Sequence, residues 1–130
     1  MFAISILSAS PHIEIWNEEG TTIIGTLYPP TYKLPEFPNP NLSQSFYPTQ
    51  IEFSSDSQWL AASDPFVIFL FNLKTGVKRG PFNKGKFIDD FMVFSPDSSI
   101  LAVTNTDMAG IDAGIYNKCV ALIDSSNGQL

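Results

Sequence analysis

The segment Phe53-Ser54-Ser55-Asp56-Ser57-Gln58-Trp59-Leu60-Ala61 returns 41 residues later as Phe94-Ser95-Pro96-Asp97-Ser98-Ser99-Ile100-Leu101-Ala102. Self-similarity at a period of this size marks a repeat architecture, in which each unit buries its apolar face on a neighbour. The match extends downstream. The first copy runs through Ala62-Ser63-Asp64 and the apolar stretch Phe66-Val67-Ile68-Phe69-Leu70-Phe71 to Asn72-Leu73-Lys74-Thr75-Gly76. The second runs through Val103-Thr104-Asn105-Thr106-Asp107 and an insertion over 108–117, then Cys119-Val120-Ala121-Leu122-Ile123, ending in Asp124-Ser125-Ser126-Asn127-Gly128. A shorter third copy opens the chain as Ile4-Ser5-Ile6-Leu7-Ser8-Ala9-Ser10, then His12-Ile13-Glu14-Ile15-Trp16 and Asn17-Glu18-Glu19-Gly20.

Each copy reads as turn, strand, short loop, strand and a Gly-terminated turn, with further strands predicted over 21–27 and 77–82. Ser-Pro-Asp and Ser-Ser-Asp suit tight turns, since Pro fixes φ and Ser or Asp side chains bond nearby amides. Gly20, Gly76 and Gly128 fall where a hairpin needs positive φ. The apolar runs are rich in Ile, Val, Phe and Leu and too short for amphipathic helices, so they predict strands and no helix.

The pattern Phe-Ser-Pro-Asp-Ser-Ser-Ile-Leu-Ala-Val, followed by a strand ending in an apolar residue plus Asp or Asn and then Gly, resembles the WD-repeat β-propeller family. The family's Trp-Asp positions are filled by Trp16-Asn17, Phe71-Asn72 and Ile123-Asp124, and its Gly-His pair is absent. The resemblance covers the chain apart from 28–49 and 108–117. It implies an all-β fold, a partial β-propeller of antiparallel four-stranded blades. Residues 1–27 form an incomplete blade, 28–49 a Pro-rich inter-blade loop, 50–90 a blade with its outgoing loop, and 91–130 a blade lacking its last strand. Propellers close with roughly four to eight blades, and this chain supplies about two and a half. The expectation is therefore a fragment of a larger propeller, with open blade faces that favour self-association.

Charge narrows the partners. A net charge of −6 argues against nucleic acid, whose binding rests on Lys and Arg neutralising phosphates. No apolar stretch approaches the ~20 residues that span a bilayer. Residues 1–10 are apolar but lack the positive region of a signal peptide, and they match a blade strand. A single cysteine, Cys119 on an apolar strand, forms no internal disulfide and reads as a packed thiol. A cytoplasmic or nuclear setting follows.

Two segments carry candidate partner-binding residues. The linker 28–49 holds six of the ten prolines and the aromatics Tyr28, Tyr32, Phe37, Phe46 and Tyr47. Within it Pro29-Pro30-Thr31-Tyr32 matches the Pro-Pro-x-Tyr ligand of WW domains, whose extended helix is preformed for an aromatic groove. The other reading is a loop whose aromatics fold back on the protein surface. Asn41-Leu42-Ser43 is a formal glycosylation sequon, silent without secretion. Lys74, Lys78, Arg79, Lys84 and Lys86 gather five of seven cations in thirteen residues free of acids. They read either as a docking patch for an acidic partner or as a solvated hairpin that discourages edge pairing.

Catalytic, cofactor and metal residues are not expected. His12 is the only histidine, with no Ser–His–Asp order or Gly-x-Ser-x-Gly elbow to use it. Asp107 and Asp112 share a loop but fall short of a calcium ligand set, and Asp89-Asp90 reads as a solvated turn. The expected function is a non-catalytic scaffold binding a protein or peptide across blade loops. The alternative is the gating propeller of a prolyl-oligopeptidase-like hydrolase, where Phe-Ser-Pro-Asp also opens blades.

Overall fold

The computed structural model of the chain describes residues 1–33, 45–64, 66–83, 91–107 and 117–125. Among these residues there are ten strands and no helix, so the chain is all-β. The strands are β1 (Phe2–Ile6), β2 (His12–Trp16), β3 (Ile23–Leu27), β4 (Gln50–Phe53), β5 (Trp59–Ser63), β6 (Val67–Asn72), β7 (Lys78–Asn83), β8 (Phe91–Phe94), β9 (Ile100–Asp107) and β10 (Asn117–Asp124). They form three sheets in which every strand lies beside its neighbour in the chain: β1-β2-β3, β4-β5-β6-β7 and β8-β9-β10. The registered pairs are antiparallel. With no described helix, none is long and apolar enough to cross a membrane.

By compactness the chain divides into two units, Met1–Ile51 and Glu52–Leu130, the division falling inside β4. In the first unit, strand alternation sorts β2 cleanly. Ile13 and Ile15 are buried, while His12, Glu14 and Trp16 occupy the other face and are half-buried. In the second unit β6 is apolar on both faces, and Val67 through Phe71 are all buried. That explains a continuous apolar run where a one-sided strand would alternate.

The core of the second unit joins two sheets. Ala61, Ile68 and Leu70 of the second sheet meet Met92, Phe94, Leu101, Val103 and Ile123 of the third, with Trp59 and Phe82 at the margin. Register places these residues on one face of each sheet, because Ala61 pairs with Leu70 and Leu101 with both Phe94 and Ile123. Burying one such aliphatic side chain contributes about 1.5–3 kcal/mol, so this contact is a main source of the unit's stability.

The expected turn glycines are present where they can be seen: Gly20 has φ +69 and Gly76 has φ +78. Gly128 lies outside the described residues. The Ser-x-Asp turns use a different carrier. Their left-handed residues are Ser57 (φ 59) and Ser98 (φ 63), which the sequence reading did not single out.

Candidate functional site

The repeated turns are the best-defined polar structures in the chain. Ser54 Oγ donates to Asp56 Oδ1 at 2.6 Å and accepts from the Trp59 amide at 2.9 Å, while Asp56 Oδ1 also accepts from the Gln58 amide at 3.0 Å. The second copy repeats this with Ser95 Oγ to Asp97 Oδ1 at 2.6 Å, the Ile100 amide to Ser95 Oγ at 3.1 Å and the Ser99 amide to Asp97 Oδ1 at 3.0 Å. Small hydroxyls and a short carboxylate are needed because only they reach amides two to five residues away.

The turns are also joined to each other. The Asp56 amide donates to Ser98 Oγ at 3.1 Å, and Ser125 Oγ donates to the Ser98 carbonyl at 2.7 Å. Ser98 and Ser125 are buried, so these bonds are shielded from water. Backbone bonds tie each turn to the segment after the third strand of its own sheet: Leu73 N–H donates to Gln58 O at 2.7 Å and Ser125 N–H to Ser99 O at 2.9 Å. The row is a structural spine, with its carboxylates occupied by internal donors.

The Ser95 hydroxyl, then the Ser99 hydroxyl and amide, hold the Asp97 carboxyl at about 2, below its ordinary 3.8. A depressed value means that the charged turn stabilises the fold fully above about pH 4 and loses that contribution as pH falls toward 2. The urea midpoint of the natural protein is therefore expected to fall more steeply over this interval than that of Asp97→Asn. Equal slopes would remove Asp97 from the acid response.

The Pro-Pro-Thr-Tyr segment is described in full. Pro29 is half-buried and Pro30 exposed, but Tyr32 is 5% exposed and packs edge-on against Phe46, itself 2% exposed, with ring centroids 6.4 Å apart. These two aromatics are folded in. In this arrangement the Tyr32 ring is closed to the groove that a WW domain would offer.

The basic run is divided by strand geometry. Lys74 sits in the exposed β6–β7 turn. Lys78 and Arg79 are consecutive on β7 and so point to opposite faces. Arg79 pairs with Leu70 in register and lies over the Trp59 ring, 6.0 Å from its centroid. Its Nε is buried without a hydrogen-bond partner among the described residues. Arg79 is thus held as a lid on the core margin by cation–π contact and by packing of its stem. Lys84 and Lys86 lie outside the described residues. Among the described members of the expected cationic patch, Lys74 and Lys78 are exposed and Arg79 is half-buried.

A further cluster, absent from the expected site residues, lies on the outer face of β1–β3. Glu14 accepts from Trp16 Nε1 at 3.3 Å and contacts His12 Nε2 at 3.4 Å. Phe2 stacks on Trp16 at 6.3 Å with rings 3° from parallel, and His12 lies 5.5 Å from the Tyr28 ring. The signal was legible as alternation: residues 12, 14 and 16 of one strand share a face. The Ser10 carbonyl, and less so Glu14, raise the His12 pKa from 6.5 against a smaller opposing cost of desolvation. Chemically this is a clasp that fixes three side chains; neither His12 contact involves a nucleophilic hydroxyl or thiol.

No group of three or more His, Cys, Asp or Glu residues capable of holding a metal occurs among the described residues. No family model, curated protein or solved structure matches this chain.

Proposed function

We propose that the chain is a non-catalytic protein-interaction module of WD-repeat propeller type, one that takes a protein or peptide partner on the loops between its strands. The observation that carries this reading is the equivalence of its units. The same Ser–Asp turn joins the first two strands of the second and third sheets, and the same hydrogen bonds close it. A unit whose strands and turns are committed to packing leaves recognition to its loops.

The exposed β6–β7 hairpin gives that surface a local positive end through Lys74 and Lys78, on a chain whose net charge is −6. Such an asymmetry favours an acidic segment by steering its approach. A fluorescein-labelled Glu-rich peptide titrated at low salt should bind the natural protein. Binding should be roughly 10-fold weaker to Lys74→Glu/Lys78→Glu, a change of about 1.4 kcal/mol. The thermal melt should be unchanged. Equal affinity for the two proteins would remove this hairpin from the proposal.

A further inference from the structure

We infer that copies of this chain associate head to tail through two complementary sheet faces. The inference rests on how the second and third sheets pack, and is independent of which partner the loops take. Register aligns the three sheets position by position. The pair Leu60–Phe71 of the second sheet corresponds to Leu101–Ile123 of the third and Phe2–Trp16 of the first. On the opposite face, Ala61–Leu70 corresponds to Ala102–Leu122 of the third sheet.

Burial at these positions differs sharply between sheets. Leu60, Phe71, Leu101 and Ile123 are at most 1% exposed, yet Phe2 is 39% exposed and its strand neighbour Ile4 40%. Leu70 is fully buried, yet Leu122 is 53% exposed, and Val93, on the same face across Ala102, is 58% exposed. The chain thus carries two open apolar faces, each of a kind that it seals elsewhere.

The same molecule shows what seals them. The Leu70 face of the second sheet packs on the Leu101 face of the third. By register, the open face of the third sheet is of the Leu70 kind and the open face of the first is of the Leu101 kind. They are therefore matched to each other, and a second copy supplies the partner for each. The only carboxylate among the β1 and β2 residues of the first sheet's open face, Glu14, already accepts from the Trp16 indole and contacts His12, so covering it leaves a carboxylate that keeps its hydrogen bonds. Because the two faces differ, the interface is heterologous and adds copies beyond a dimer, as a ring or an open chain.

Sedimentation velocity of the full chain tests this, using Phe2→Lys to block one face and Leu122→Lys to block the other. The natural protein should grow past a dimer as concentration rises. Each variant alone should be monomeric with a cooperative melt. An equimolar mixture should form a dimer and nothing larger, since each variant keeps one working face. A natural protein that stays monomeric, a variant that dimerises alone, or a mixture that stays monomeric would each overturn the inference. If either variant loses its cooperative melt, Ile4→Lys and Val93→Lys block the same two faces and carry the same expected results.

Discussion

Leu70→Ala is expected to destabilise the second unit by about 2–5 kcal/mol, while Leu122→Ala changes stability by no more than about 0.5 kcal/mol. The two leucines hold the same place in their sheets, each cross-strand from an alanine, Ala61 or Ala102. They differ in surroundings. Leu70 is fully buried in the cluster with Met92, Phe94, Leu101 and Ile123, so truncation leaves a cavity that these residues fill only in part. Leu122 is 53% exposed and its truncation opens no cavity. Urea unfolding followed through tryptophan emission reads the difference, because Trp59 packs against the Leu70 cluster. The measurement belongs at the lowest workable protein concentration, where association adds nothing to apparent stability. Equal losses at the two positions would mean that the burial difference, and with it the open face, is absent in solution.

That pair also shows where sequence reasoning stops. The repeat, the strands and the Gly-bearing hairpins were legible, because turn chemistry and short β-branched runs are local signals. Which copy of a repeated position is sealed was not, since Leu70 and Leu122 look alike until neighbours are placed. The carriers of positive φ in the Ser-x-Asp turns were missed because Ser57 and Ser98 have a Cβ and give no compositional warning. The basic run carried two readings, a docking patch or a solvated hairpin, and its described part, Lys74, Lys78 and Arg79, does not share one face. The strand expected over 77–82 already implied that Lys78 and Arg79 part to opposite faces, whereas the register that puts Arg79 on the face of Trp59 across β6 is a structural fact. In the linker, the Pro-Pro-x-Tyr match left open a WW-domain ligand or aromatics folded back on the surface, and the burial of Tyr32 against Phe46 is a tertiary fact that no short motif encodes.

Gly80→Ala is expected to destabilise the second unit by about 2–4 kcal/mol. Gly80 lies where β7 fits two residues against one of β6: Leu70 pairs with Arg79, but Ile68 pairs with Phe82. The extra residue gives β7 its bulge, and glycine fits for two separate reasons. Its φ of +116 is a conformation that L side chains rarely adopt. A Cβ there would also stand 2.7 Å from the Ile68 carbonyl oxygen and 3.2 Å from the Phe69 ring. The carbonyl is backbone of a fully packed strand, so it cannot yield as a flexible side chain would. Gly76 separates the two causes. Its φ is +78, but a Cβ there meets nothing within 4 Å, so Gly76→Ala should lose only about 1 kcal/mol, from backbone conformation alone. Chemical unfolding of the two variants side by side reads the gap between strain and strain plus collision. A Gly80→Ala variant no weaker than Gly76→Ala would show that β6 and β7 are not held in the register that brings Gly80 against Ile68. Because that register also sets Arg79 over Trp59, the same result would displace the lid on the core margin.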